Sequence, residues 1–554
     1  MKLSRLIVLL LISSSSLYAD ALLNSWLTSN SGQYARVYES IADQNAQNAV
    51  ATWDQGSGSQ LTPVYADINA ISYSDNWVYI LHSGLASHNM GPWYFDDDDS
   101  ILFANFPANQ NRLYKISRNP VEETGTRETT AAGINGIYVN GVALFDVTDT
   151  FSYDTSTGFD AVTADQNDPA GDGSVDSSDV IGDFVWNRNA VVNEIVTLDP
   201  AFAHQAGSNY HYHSSPSGLR YQLGDSVDYD VVTNTYTENF NNQHSPIIGW
   251  AADGFPLYGP YGYSDPTDAN STVRRMVSGF QKRDGTNGST NLSTTGRVSI
   301  PTWSLTYQTA TTTTLNTENY GPDVDEQINW DIYGEEFEHA ELGRYLEDYA
   351  YKGNLTGLDF YEGVAIDGAY TEGSDFDLNL YNGRFCVTPE FPDGIFAYFI
   401  TIESDGSPVF PYVLGREFFG EVTAESVTTV DDSETITEHF NFETVTENLN
   451  EITTNEDSIT ITWNALEGGV YTVQSSLTLE DDFLDETTTA IPDITSLNFE
   501  DVNILSTEDK KFYRIERTGI SDFEAVDPSN TDTGGGGGPG GGGPGGGGGR
   551  PDGP

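Results

Sequence analysis

Apolar residues along this chain come in short runs broken by turn residues. In "NWVYILHSG" (76–84), "NGIYVNGVALFD" (135–146) and "GIFAYFITIESDG" (394–406), β-branched and aromatic residues alternate or cluster between Gly, Asn and Asp. That pattern suits strands of a pleated, half-buried surface. Helical spacing is scarce. It predicts helices only in "NSWLTSNSGQYARVYESI" (24–41) and in Gly334–Gly353, where Phe337, Leu342, Tyr345 and Leu346 would share a stripe. The expected fold class is mainly β.

The pattern also divides the chain. Residues 1–21 read as a secretory signal, with Lys2 and Arg5 ahead of the apolar Leu6–Ile12 and with Ala19 or Ala21 before the cut. Residues 22–425 form one large β-rich domain. Past Gly420 the sequence turns polar and acidic, as linkers and solvated strands do. From 435 to 522 the strands "YTVQSS" and "FYRIER" resemble those of small β-sandwich modules appended to secreted bacterial proteins. Residues 523–554, mostly glycine and proline, have nothing to bury and are expected to be disordered.

Charge narrows the partners. Asp plus Glu number 83 against 23 Lys plus Arg, a formal net charge of −60. Such a surface repels phosphate backbones and anionic lipid, so no nucleic acid partner is expected. After the signal no apolar run approaches the roughly 20 residues of a membrane span. The expected location is secreted, periplasmic or cell-surface. Cys386 is the single cysteine, which excludes an intramolecular disulfide and fits a buried thiol.

Eight histidines are few for 554 residues, and four lie between His204 and His244. In "SNYHYHSSPSG" (208–218), strand alternation would point His211 and His213 to one face and Tyr210 and Tyr212 to the other. Two imidazoles about 6 to 7 Å apart along a strand can converge on one ion. His204, His244 and His88 are the candidates to complete the set, His204 foremost. Nitrogen ligands without thiolate suit copper or zinc, and the spacing does not choose between them. Paired histidines can also simply pack, hydrogen-bonded, in an aromatic strand.

"NYHYHSSP" followed by "SPIIGWAADGFPLYGPYGY" resembles the bacterial YHYH proteins, in which a YHYH strand precedes a "GWAxDGFPIYG" segment. "YILHSGLASHNMGPW", "GIYVNGVALFD" and "LYNGRFCVTPEFPDGIFAYFITI" follow the same order, so the resemblance spans about residues 64–416. It implies a shared domain rather than a reaction, and a common core for Val64–Asp99 and the YHYH segment. The commoner family form has a cysteine and a Gly-His pair before YHYH; here "AHQAGSNYHYH" keeps only His204. Asp253-Gly254 is a two-residue turn signal between strands holding Trp250 and Phe255. Asp253 is a further candidate, as ligand or as acceptor for a ligating imidazole.

"DPAGDGSVDSSDV" (168–180) resembles the calcium loop of dockerin and EF-hand modules. Asp168, Asp172, Ser174, Asp176 and Asp179 would be its Ca²⁺ ligands, and Ala170 stands where an oxygen is expected. Nothing resembles a nucleophile elbow or a phosphate-binding loop. Two functions are thus expected: a secreted metal-binding protein, a metalloenzyme if a coordination position stays open to a small molecule; or an adhesion protein recognising glycan or protein through exposed aromatic residues.

Overall fold

The computed structural model describes residues 21–520 except 29–31, 96–98, 132, 157, 161–181, 331–336, 356–357, 360–363, 366–369, 432, 443–448, 455–457, 465–468, 477–483, 491–495 and 503–511. The signal segment up to residue 20, the tail from 521 and the loop of Asp168, Asp172, Ser174, Asp176 and Asp179 lie outside the described residues.

The fold is mainly β. Two principal sheets are built from β1 (Ile68–Tyr73), β2 (Trp77–His82), β3 (Arg112–Ser117), β4 (Gly136–Tyr138), β5 (Ala143–Leu144), β6 (Ala203–Ala206) and β7 (Asn209–Tyr212). They continue with β8 (Ile247–Ala251), β9 (Pro256–Tyr258), β10 (Gly383–Cys386), β11 (Ile395–Phe399), β12 (Glu425–Val427) and β13 (Thr437–Asn441). The first sheet has the order β12-β3-β2-β1-β13 and the second β10-β11-β9-β8-β4-β5-β7-β6. Period-2 alternation explains how they share a core: Ile71, Val78, Ile80, Tyr114 and Ile116 of the first sheet belong to one buried cluster with Ile137, Tyr138, Tyr210 and Tyr212 of the second. A smaller sheet, Thr148–Asp154, Phe159–Asp160 and Asn187–Asn189, stands beside a core that includes Trp186, Ile300 and Tyr345.

Both predicted helices are absent among the described residues. In the first segment Tyr34 and Val37 make β-bridges, and helix occurs only at Ala21–Asn24 and Ile41–Ala46. In the second, Gly343 at φ +108° breaks any stripe, and the buried Asp348 carboxylate takes Gly343 N–H and both arms of Arg297 at 2.8 Å. Tertiary ion pairing overrides periodicity there. Of the two readings of the acidic run after Gly420, its described part follows the solvated strands rather than a linker: β12 pairs with β3, and β13 with β1. Val64–Asp99 does share the core of the YHYH segment, through side chains rather than strand pairing. Trp93 Nε1 donates to Ala203 O at 3.0 Å and Gly91 N to Asp199 Oδ2 at 2.9 Å.

From Leu449 onward two three-stranded sheets pack about Ile461, Trp463, Tyr471, Val473 and Ile515. Cys386 is buried and unpaired. No helix among the described residues is long and apolar enough to cross a membrane.

Candidate metal centre

The site lies at the edge of the second sheet, where β6 and β7 run antiparallel with His204 directly opposite His211. β7 is gripped on its other side by β5, in parallel, with His211 opposite Ala143. The tight β4–β5 turn passes through Gly141 at φ +79°, where a Cβ would lie 2.6 Å from His82 Cβ, so only glycine fits. Alternation then sorts the tetrapeptide. Tyr210 and Tyr212 enter the core, Tyr210 OH donating to Asp199 Oδ2 at 2.7 Å. His211 and His213 emerge on the face that carries His204.

The three imidazoles are buried, and a ligand nitrogen from each lies within 4.8 Å of the others. What each Nδ1 touches fixes which nitrogen that is. His211 Nδ1–H donates to Asn209 O at 3.0 Å and His213 Nδ1–H to Asp146 O at 2.7 Å. Thr197 Oγ1–H donates to Glu194 O at 2.7 Å, so Oγ1 accepts from His204 Nδ1–H, 2.6 Å away. With all three Nδ1 positions protonated, the Nε2 of each neutral ring presents a lone pair inward. Phe145 stacks on His211 with centroids 3.8 Å apart and meets His213 edge-on at 5.8 Å, which locks both rings.

A carboxylate that the sequence reading missed lies against two of the three imidazoles. Glu194 ends the short helix Ala190–Glu194, and its Oε2 lies 3.1 Å from His213 Nε2 and 3.4 Å from His204 Nε2. The helix is anchored by Ala190 N–H to Val147 O at 2.8 Å. In the sequence Glu194 is one acid among 83; a helix placing it ten residues before His204 leaves no mark that spacing alone could find.

The electrostatics follow from crowding. Burial, with His204 and His213 beside it, holds His211 well below the ordinary imidazole range. Burial also opposes a charge on His213, but Glu194 outweighs it and the net shift is upward. Burial likewise opposes ionisation of Glu194, and the facing imidazoles of His213 and His204 overcome it, leaving the carboxyl well below its usual range. Without an ion, a proton on His213 is what lets its Nε2 sit 3.0 Å from His211 Nε2 and beside the carboxylate. A divalent ion can take that place. Metal–nitrogen bonds of ~2.0 to 2.1 Å in tetrahedral geometry separate ligand atoms by roughly 3.3 Å. The 3.0, 3.1 and 3.4 Å separations are already of that size.

The other candidates are placed elsewhere. His88 Nε2 meets Tyr212 OH at 2.9 Å on the opposite face of β7, and its Nδ1 meets Asn89 O at 3.2 Å. Burial lowers it to about 4. His244 gives Nδ1–H to Ser245 O at 2.8 Å and packs among Tyr258, Tyr263 and Phe399. Asp253 accepts from Tyr398 OH at 2.6 Å, Gly420 N at 2.8 Å and Phe255 N at 3.2 Å, so its acceptor sites are spent within the protein. It orients no ligating imidazole. The turn it belongs to is the expected one, Gly254 standing at φ +82° between β8 and β9.

No curated protein and no solved structure matches the chain. A family model does, over residues 113–376. That span is narrower than 64–416 and holds β4 to β9, hence the three histidines and Glu194, while β10 and β11 complete the same sheet from outside it. The matching family is described as YHYH protein, and through residues 113–376 this chain carries its domain.

Proposed function

We propose that this chain is a secreted protein that binds one transition-metal ion, copper or zinc, through Nε2 of His204, His211 and His213 with Glu194 as the fourth ligand. The observation that carries the reading is the saturation of all three Nδ1 atoms by protein acceptors while the three imidazoles converge and a carboxylate oxygen meets two of them. His88 spends both ring nitrogens on protein partners, and the unpartnered nitrogens of His82 and His244 belong to no such group, the three histidines being the one convergent set among the described residues. Imidazole nitrogens and a carboxylate oxygen suit both metals. The Glu194 side chain is 26% exposed where the histidines are buried, although its Oε2 is itself buried. An open position at the ion would make a metalloenzyme of the protein.

The test is elemental analysis of protein produced without a polyhistidine tag and dialysed against zinc or copper. About one ion per chain supports the reading, and less than about a tenth of an ion defeats it. The adhesion alternative draws no comparable support, because Tyr210, Tyr212, Trp250, Phe255, Tyr258 and Tyr261 of the aromatic motifs are all buried. Calcium at Asp168–Asp179 is a separate proposal resting on the sequence: millimolar Ca²⁺ should raise Tm in the parent and not in Asp172→Ala.

A further inference from the structure

The outer face of the first sheet holds a cavity of about 640 Å³. Register brings Ala70, Leu81, Leu113 and Val427 side by side across β1, β2, β3 and β12, an aliphatic row on the face opposite the core residues Ile71, Ile80 and Tyr114. Val430 extends the row; Arg112, which alternation sets with Tyr114 on the other face of β3, reaches the cavity from the start of the strand. None of the lining residues is acidic.

In a chain with 83 acids and 23 bases, a cation with no acid beside it is the exception. Nearby Lys115 shows the rule, paired with Glu425 at 3.0 Å. Arg112 forms no ion pair among the described residues. Its one side-chain hydrogen bond among the described residues is long, 3.4 Å from Nη2 to Gln110 Oε1, and Nη1 is buried with no partner. Tyr79, on the same cavity wall and 1% exposed, also has a hydroxyl with no partner. Burial and this uncompensated charge together hold His82, the register partner of Arg112, down at about 3. Buried donors without acceptors are costly, and a guanidinium is best met by a carboxylate.

We propose that this cavity binds an aliphatic carboxylate, its chain along the Ala70–Leu81–Leu113–Val427 row and its carboxylate at Arg112. The apolar row supplies burial and Arg112 the selectivity for the anion. The proposal is independent of the histidine site, and EDTA in the buffer keeps a metal-bound carboxylate from imitating it.

The test is isothermal titration calorimetry of the full chain with decanoate, decanol and acetate at fixed ionic strength. Decanoate should bind once per chain, at least tenfold more tightly than decanol or acetate. Arg112→Gln should weaken decanoate at least tenfold. Thr428→Glu, which sets an acid in the lining without removing the arginine, should do the same and carries the test if Arg112→Gln fails to fold. Three results would overturn the proposal: no decanoate binding at millimolar concentration, decanol binding as well as decanoate, or unchanged decanoate affinity in the folded variants.

Discussion

Two regions of the second sheet place buried polar side chains among aromatic ones, and they do so to opposite ends. At the β8–β9 turn, Asp253 is enclosed by Tyr398 OH and the Gly420 and Phe255 amides, three donors for one carboxylate. At the β6–β7 edge, three imidazoles and Glu194 face one another with acceptors in excess of protons. The first arrangement is closed: every lone pair directed inward meets a donor of the protein, which is how buried polar groups fix a fold. The second is open, because only an added cation can satisfy all four groups at once. Convergence of unmet lone pairs, rather than residue type or burial, separates a ligating polar group from a structural one.

The largest effect should come from the open end. His211→Ala with His213→Ala removes two of three nitrogens and should lower metal affinity by at least about a thousandfold by competition with a chelator of known affinity. His244→Ala and His88→Ala should leave it within about twofold. Metal retained by the double variant would end the distinction drawn between the two regions. The closed end should answer in stability. Asp253→Ala strands three donors, each costing about 1 to 3 kcal/mol, so Tm should fall by roughly 10 °C while the metal content stays at the parental value. A loss of metal with intact folding would place Asp253 in the site after all.

Glu194→Gln probes the boundary between the two kinds of region. The amide keeps the shape and loses the charge, so metal affinity should drop by about 10- to 100-fold, less than for loss of nitrogens. An unchanged affinity would confine the site to the histidines.

The sequence showed the face shared by His211 and His213, because strand alternation is local, and favoured His204 over His244 and His88 on proximity and pattern. That His204 lies opposite His211 depends on the β6–β7 register, which a two-residue turn fixes and spacing allows. Glu194 was invisible, since its approach depends on how the helix Ala190–Glu194 docks through Ala190 on Val147. Nor did composition reveal that β12 and β13 return to the first sheet, for exposed edge strands are polar, like linkers. The failed helix at 334–353 has the same origin: Asp348 reads as a solvated acid until Arg297, 51 residues away, claims it.

Asp67 gives the smallest predicted effect and the sharpest control. It is fully buried at φ +59°; Oδ1 accepts from Ser87 N at 3.0 Å, and Oδ2 has no partner. It therefore shares an unmet lone pair with the histidine end but lacks convergent neighbours, and it should bind no metal. Burial raises its carboxyl to about 7, the two contacts from Ser87 pulling the other way. The sign follows from proton counting. Between the unfolded value of about 4 and the folded value near 7, the folded chain binds more protons than the unfolded one, so this group's contribution falls as pH rises and is flat above 7. Asp67→Asn keeps the acceptor, tolerates the left-handed backbone and cannot ionise. It should raise Tm by a few degrees at pH 8, and the advantage should vanish by pH 4. Paired melting curves of parent and variant from pH 4 to 8 measure this. An advantage independent of pH would mean that Asp67 is already neutral across the range, and a stability loss at pH 8 would mean that its charge is met by a donor, making it a closed site like Asp253.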